Sequence, residues 1–137
     1  MQISARNQFK GTIVDIKEGA VNGIVTLKSN DTSVTGTISM AAIKELGLEN
    51  GKEAVAIVKA TEVLVATGEL TISARNQFKG TVTNINQGVV NSIVTITLPD
   101  NHEISATISV AAVNELGLKT GSEAIAIIKA TSVMFCA

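Results

Sequence analysis

The chain has 137 residues and a formal net charge of −1; 45% of its residues are hydrophobic but only 2% are aromatic. This near-neutral balance argues against a general binding surface for nucleic acid or for anionic membranes. No apolar run reaches the 18 residues that a membrane span needs, and the polar start after Met1 is unlike a signal peptide, so we expect a cytoplasmic protein. With Cys136 as its single cysteine, the chain has no intrachain disulfide.

The sequence contains an internal duplication. Residues 4–12, SARNQFKGT, return unchanged 69 positions later as residues 73–81. Nine identical residues at this distance predict two repeats, with domains at residues 1–67 and 70–137. Units of this size have modest cores, so we expect them to pack together and the chain to oligomerise. The repeated segment opens with a hydroxyl, a guanidinium and an amide, which indicates a functional element.

The first repeat is predicted to be a small all-β barrel. Runs of β-branched residues predict strands at 8–17, 21–27 and 33–38. Ser39 then opens a short helix over 40–46, and Gly47 follows its last residue. Two more strands are predicted at 53–59 and 61–66, after the turn Asn50-Gly51. Five strands with one short helix are most economically closed as a barrel.

The second repeat follows the same order. Strands are predicted at 78–85, 90–98, 104–108 and 124–129, with a helix that Ser109 opens and Gly117 follows. One residue is inserted at the turn 98–101, and the short connection at 67–70 should hold the repeats as a fixed pair. His102 lies in the insertion loop. Because no His, Cys or carboxylate cluster accompanies it, we expect an exposed loop residue and no site for a metal cation.

The recurring residues do not suggest catalysis. Neither His nor Cys occurs in both repeats, and no GxSxG, HExxH, CxxC or phosphate-loop motif is present. Glu45 and Glu115 recur, but their place on a short helix favours a solvated face. We therefore expect that the protein is not an enzyme.

What does recur is a set of hydrogen-bond donors that suits an oxyanion. A tetrahedral dianion needs donors from several directions and little acidic competition, and a helix N-terminus adds main-chain N–H groups. The donors are Ser4, Arg6, Ser39, Lys59 and Thr61, with their counterparts Ser73, Arg75, Ser109, Lys129 and Thr131. Simpler roles stay open at this point: Ser39 as a cap only, Lys59 as a solvated strand end, and Arg6 as an ion-pair partner of Glu53 or Asp15.

The amino-acid sequence of the repeats resembles that of the Mop domain, the molybdate-binding module of molbindins. The similarity rests on SARNQFKGT, GAVN, ISMAAIKELGL and NGKEAVAIVKATEVLVA, and it extends over both repeats. It implies two tandem OB-like five-stranded β-barrels, each with one short helix. It also implies assembly as a trimer, with molybdate or tungstate as the bound ligand and no organic cofactor.

The resemblance implies two classes of oxyanion site, both between barrels. In the first class one barrel supplies the Ser-Ala-Arg segment and its partner the Lys-Ala-Thr segment. The residues are Ser4, Arg6, Ser39, Lys59, Ala60 and Thr61, and Ser73, Arg75, Ser109, Lys129, Ala130 and Thr131. The second class lies near the three-fold axis of the trimer. Its residues are Gly19, Ala20, Val21 and Asn22, and Gly88, Val89, Val90 and Asn91.

Two departures from the family pattern bear on these sites. Many relatives carry a serine three positions after the helix-opening hydroxyl, where this chain has Ala42 and Ala112, so one hydroxyl donor is missing. The second turn has Val89 where the first has Ala20, so the axial sites at the two ends of a trimer should differ in width.

The function predicted from the sequence is non-covalent binding of molybdate, and of tungstate, for molybdenum storage and homeostasis. The alternative is a molybdate-responsive scaffold that acts on a partner protein. A nucleic-acid module of the OB type is disfavoured, because such modules use stacking aromatics and this chain has no Trp or Tyr. Phe9 and Phe78 occupy strand positions where core packing is expected.

Overall fold

The computed structural model describes residues 2–137. Ten strands and two helices follow one another in the order that the duplication predicts. They are β1 (Asn7–Glu18), β2 (Asn22–Ser29), β3 (Thr32–Ser39), α1 (Met40–Leu46), β4 (Glu53–Val58), β5 (Val63–Ala66), β6 (Asn76–Gln87), β7 (Asn91–Thr97), β8 (Glu103–Ser109), α2 (Val110–Leu116), β9 (Glu123–Ile128) and β10 (Met134–Cys136). Single 3₁₀ turns at Ala60–Glu62 and Ala130–Ser132 precede β5 and β10. Neither seven-residue helix is long enough to span a bilayer.

The strands form two antiparallel five-stranded sheets that exchange their last strands. The first sheet has the order β10-β4-β1-β2-β3, and the second has the order β5-β9-β6-β7-β8. Strand β5 of the first repeat therefore pairs with β9, and β10 of the second repeat pairs with β4. The predicted all-β class is confirmed. The expectation that each repeat closes its own barrel with its own fifth strand is wrong, because each sheet borrows that strand from the other repeat.

The long first strand of each repeat bends so that one strand serves two neighbours. Asn7–Thr12 of β1 pair with β4, whereas the residues beyond Thr12 pair with β2, and a register shift between Ile13 and Asp15 marks a bulge. Strand β6 repeats this pattern between Val82 and Asn84. Gly11 lies where the bent strand passes close to β2, and a Cβ there would collide with the carbonyl oxygen of Lys28. The sheets curl into barrels as a result.

The exchanged strands close the barrels with side chains of complementary size. Gly36 on β3 leaves room for Phe135 of β10; a Cβ at Gly36 would lie 2.6 Å from the ring Cε2 of Phe135. The corresponding positions of the other barrel show the opposite combination. Ala106, which is larger, stands in place of Gly36, and Val65, which is smaller, stands in place of Phe135. Ala106 is buried and Val65 packs against the core. Strand β10 therefore fills its barrel with a large side chain and β5 with a smaller one.

We expect Gly36→Ala to destabilise the fold by about 1–3 kcal/mol, because the new methyl group overpacks the space that Phe135 fills. The double variant Gly36→Ala with Phe135→Val reproduces the Ala106–Val65 combination and should recover part of that loss. Urea denaturation of the two single variants and the double variant measures the coupling. Strictly additive losses would show that the two positions do not share one packing site.

Candidate functional site

The Ser-Ala-Arg and Lys-Ala-Thr segments of the first repeat lie side by side. Residues 3–6 and 59–61 line one surface cavity of about 340 Å³, which Thr107 and Met134 complete. The structure thus brings Ser4, Arg6, Lys59, Ala60 and Thr61 together within a single chain. The last two lining residues belong to the second repeat, so the cavity lies at the junction of the barrels.

The Lys-Ala-Thr segment is the point where the chain crosses from one sheet to the other. Lys59 follows β4 of the first sheet, and the 3₁₀ turn at Ala60–Glu62 leads into β5 of the second sheet. The Glu62 N–H donates to the Lys59 carbonyl at 2.9 Å, while Ala60 is buried. Strand exchange therefore determines where this segment lies.

Among the described residues, neither cationic side chain of the cavity has a carboxylate partner. Within residues 2–137 the one ion pair closer than 4.0 Å joins His102 to Asp100. The proposed pairing of Arg6 with Glu53 or Asp15 is therefore not observed, and both Arg6 and Lys59 are exposed. Their charges remain available for an anion.

Gln8 braces the Ser-Ala-Arg segment, a role that the sequence analysis did not identify. Its side-chain Nε2 donates to the carbonyls of Ala5, at 3.0 Å, and Ile3, at 3.3 Å. Gln77 makes the same pair of bonds in the second repeat, to Ala74 at 2.8 Å and Ile72 at 3.1 Å. A segment outside any strand is thereby held in a defined path. The unchanged recurrence of the glutamine was the available signal.

Asn7 ties the two barrels together, which was also missed. It is 1% exposed, and its side-chain amide forms two 2.8 Å bonds with the backbone of Ser105 on β8. Asn76 does the same to Thr35 on β3 and also donates to the Ile128 carbonyl at 3.1 Å. A buried amide is stabilising only when its donors and acceptor are satisfied, as both are here. Each repeat thus grips the third strand of the other.

The second repeat places its predicted residues in the corresponding elements. Arg75 and Lys129 are exposed, and Ala130 is buried like Ala60. The turn at Ala130–Ser132 lies against β3, as the turn at Ala60–Glu62 lies against β8. Ser73 of the second Ser-Ala-Arg segment and Thr131 of the second Lys-Ala-Thr segment are exposed as well.

The helix-opening serines act as caps. The Oγ of Ser39 accepts a hydrogen bond from the Ala42 N–H at 3.0 Å, and Ser109 caps the second helix through Ala112 with the same length. Ser39 is not among the residues that line the cavity. Its predicted role toward an oxyanion is not visible in a single chain.

The predicted axial residues form two exposed hairpin turns. Val21 is 74% exposed, and in the second turn Val89 and Val90 are 97% and 71% exposed. The carbonyls of Val21 and Val90 accept bonds of 2.8 Å from the first residue of each helix. Gly19 and Gly88 are exposed as well, as are Ala20, Asn22 and Asn91. Each turn presents bare apolar side chains.

The expectation of an exposed loop histidine is wrong. The His102 side chain is 15% exposed, and its ring lies on Phe9 with 5.6 Å between ring centroids. Its Nδ1 lies 2.7 Å from Asp100 Oδ2, and its Nε2 lies 3.0 Å from the Oγ of Ser29 in the first repeat. The sequence could not show this burial because the other repeat creates it.

This cluster has the order of a Ser-His-Asp triad but not its chemistry. Ser29 is buried, and its hydroxyl donates to the Lys10 carbonyl rather than pointing to an open cavity. Thr32 donates to the same Asp100 oxygen at 2.7 Å. The four side chains therefore form a polar clasp between the two barrels. Residues 2–137 also contain no group of three His, Cys, Asp or Glu residues placed to hold a metal ion.

The Asp100 carboxyl is stabilised in its charged form. Burial alone would raise its pKa, but hydrogen bonds from Thr32 and His102 outweigh that effect and lower the pKa to about 2.

The family model of the TOBE domain matches residues 3–65 and again residues 72–135. The chain belongs to the TOBE domain family. This tandem TOBE protein superimposes on the cytoplasmic molybdate-binding protein ModG, solved with molybdate bound, with a TM-score of 0.96. The two are 43% identical, over 100% of this chain and 99% of that one.

Curated relatives match one or both TOBE domains. The probable molybdenum-pterin-binding protein of Haemophilus influenzae is 57% identical over 66 residues, which are 47% of this chain and 96% of that protein. The molybdenum transport protein ModE of Herbaspirillum seropedicae is 37% identical over 137 residues, 98% of this chain but 51% of ModE. The tandem TOBE protein thus spans about half the length of this longer relative. The resemblance to Mop-domain proteins is confirmed, and these relatives are named for binding or for transport.

We expect the stability of the tandem TOBE protein to fall in acid partly through Asp100. Because its folded-state pKa of about 2 lies below the ordinary value of 3.8, its contribution is nearly complete above about pH 5 and disappears as the pH falls toward 2. Asp100→Asn should cost about 1–3 kcal/mol at pH 7 and much less at pH 2. Urea denaturation across this pH range measures the difference, with exposed Asp31→Asn as the matched control. A deficit that does not change with pH would contradict the assignment.

Proposed function

We propose that this protein binds molybdate non-covalently at the junctions between its barrels. The observation that carries the proposal is the cavity in which Arg6 and Lys59 converge without a carboxylate partner. The likeness to ModG, a molybdate-binding protein of almost the same length, supports the choice of ion. The second-repeat residues Ser73, Arg75, Lys129, Ala130 and Thr131 supply the second such site.

The chemistry of the first site suits a tetrahedral dianion. Arg6 contributes a guanidinium with several fixed donors, Lys59 a compact positive charge, and Ser4 and Thr61 hydroxyl groups. Desolvating a dianion is costly unless charge-assisted hydrogen bonds surround it, so the donors must converge. No step of this chemistry makes or breaks a bond, and we propose a binding protein rather than an enzyme.

The size of the ion provides the discrimination that we propose. Molybdate and tungstate share one shape and charge, so a site that is built for one takes the other. Sulfate carries the same charge on a smaller tetrahedron and cannot reach all the donors at once. The Ser39 and Ser109 hydroxyls stay caps in this scheme, unless a partner subunit brings them to the ion.

We further propose that the protein works as a homotrimer. The bare valines of the two hairpin turns, Val21, Val89 and Val90, support an interface that the single chain leaves uncovered. Such an interface would create the second, axial class of site around the Gly19–Asn22 and Gly88–Asn91 turns. Ion binding would then favour assembly, because sites shared between subunits exist only in the trimer.

The biological role that we propose is molybdenum storage and homeostasis in the cytoplasm. A second role is favoured by the longer relatives: the Yersinia pestis match is named a transcriptional regulator, and this chain covers 52% of it. The same ion-binding module can therefore belong to a larger protein. Here it would act as a molybdate-responsive scaffold on a partner protein, without contacting nucleic acid or membrane itself.

We expect Arg6→Ala combined with Arg75→Ala to weaken molybdate binding by about 10- to 100-fold, because each site loses a charge-assisted donor. The fold should persist, since both side chains are exposed and have no ion-pair partner. Isothermal titration calorimetry with molybdate, and with sulfate in parallel, measures the effect. Lys119→Ala, which removes an exposed cation outside the site, is the control. An unchanged molybdate affinity in the double variant would remove both arginines from the site.

Gln8→Leu with Gln77→Leu tests the brace rather than the donors. These variants keep every proposed ligand group but free the Ser-Ala-Arg segments, so we expect a loss of about 3- to 10-fold in molybdate affinity. Amide hydrogen exchange at residues 3–6 and 72–75 should rise at the same time. Faster exchange with full affinity would show that the ion itself orders these segments.

A further inference from the structure

The two halves of the molecule are related by an internal two-fold symmetry that is broken at its centre. The rings of Phe9 and Phe78 lie across this axis, with centroids 6.3 Å apart. Ser29 pairs with Thr32 across the first β2–β3 hairpin, and Leu98 bonds to His102 across the corresponding hairpin of the second repeat. Thr32 is therefore the structural counterpart of His102. One position carries a small side chain and the other an aromatic ring.

This difference leaves a cavity on one side of the axis. The ring of His102 covers Phe9, which is 1% exposed, whereas Phe78 is only half-buried. Beside Phe78, where a ring at position 32 would stand, there is a cavity of about 360 Å³. Its polar and aromatic lining includes Asp31, Thr32, Gln77, Phe78, Lys79 and Asp100. None of these residues is a proposed oxyanion ligand, although Gln77 also braces the second Ser-Ala-Arg segment.

We propose that this cavity binds a small planar nitrogen heterocycle that carries N–H donors. The filled side shows the required contacts: an imidazole ring against Phe9, with its Nδ1 2.7 Å from a carboxylate oxygen. A ligand in the open cavity stacks on Phe78 and donates to a carboxylate in the same way. The volume of about 360 Å³ exceeds what a single five-membered ring occupies, so the cavity also admits a fused two-ring heterocycle.

The charges of the lining favour a neutral or cationic ligand over an anion. Asp31, Asp100 and Lys79 all line the cavity, so the carboxylates outnumber the ammonium group by two to one. Both Asp100 oxygens already accept bonds from Thr32 or His102. Asp31 accepts none from residues 2–137 and is exposed, which makes it the acceptor for the ligand. The site therefore differs in chemistry from the junctions that carry Arg6 and Lys59.

The test uses the full chain and 2-aminobenzimidazole, a planar two-ring probe with several N–H donors. Titration followed by ¹H–¹⁵N correlation spectra should shift the amides of Gln77, Phe78 and Lys79 in a saturable manner. Benzofuran, which has the same ring size but no N–H group, should bind at least tenfold more weakly. Equal binding of the two compounds, or no saturation below about 10 mM, would overturn the proposal.

Two substitutions of Thr32 distinguish the effect of filling the cavity from the effect of losing the hydrogen bond to Asp100. Thr32→His places an imidazole in the open space and should weaken the probe at least tenfold. Thr32→Val loses the same bond to Asp100 but leaves the space open, so its affinity should stay within threefold of the wild type. If both variants bind alike, the probe does not occupy this cavity. Molybdate titration of both variants should be unchanged, which keeps this outcome independent of the proposed function.

Discussion

The exchange of β5 and β10 between the two sheets is the constraint on which the rest of the structure depends. In this structure neither barrel is completed from the residues of one repeat, so each barrel depends on a strand of the other half. The chain must cross between sheets just before each exchanged strand, and Lys59–Thr61 are the residues at the first crossing. A segment that passes from one sheet to the other must lie where the two barrels meet. The position of the cationic cavity is therefore a consequence of the strand exchange. Its donors come from segments that the exchange places next to each other.

The SARNQ segment shows how one short motif lines a cavity and also holds the architecture together. Within three consecutive residues, Arg6 lines the cavity, Asn7 bonds to a strand of the other barrel, and Gln8 holds the backbone of the residues before the arginine. The buried asparagine is the more demanding of these roles, since an unsatisfied amide in the interior costs about 1–3 kcal/mol. The positioning of the arginine thus rests on two neighbouring amides. A polar motif that returns unchanged therefore need not consist of ligand residues alone.

Features of the fold and the candidate site that depend on neighbouring residues could be predicted from the sequence. Features that depend on residues far apart in the sequence could not. Strand and helix positions follow from local alternation and capping, and Ser39 and Gly47 mark the helix ends as expected; Gly47 has φ +62°. The strand that pairs with β5 could not be predicted, because an alternating pattern shows which face of a strand is buried but not to which sheet the strand belongs. Asn7 bonds to a residue 98 positions away, and the burial of His102 is created by the first repeat. The resemblance of the repeats to the Mop domain supplied the proposed site residues, which spacing alone left open.

The broken symmetry at the centre follows from having both copies in one chain. In a symmetric dimer of identical single repeats, a substitution at the axis appears twice, and both copies must fit at once. In a tandem chain each position changes separately, so a histidine can stand on one side while a threonine stands on the other. The pairs Gly36–Phe135 and Ala106–Val65 show the same freedom in the barrel closures. Such differences let each exchanged strand match its own barrel, and they let one side of the axis be filled while the other stays open. Among the proposed oxyanion residues, the Ser4–Arg6 and Lys59–Thr61 segments are identical in the two repeats, whereas the axial turns differ because Val89 stands in place of Ala20.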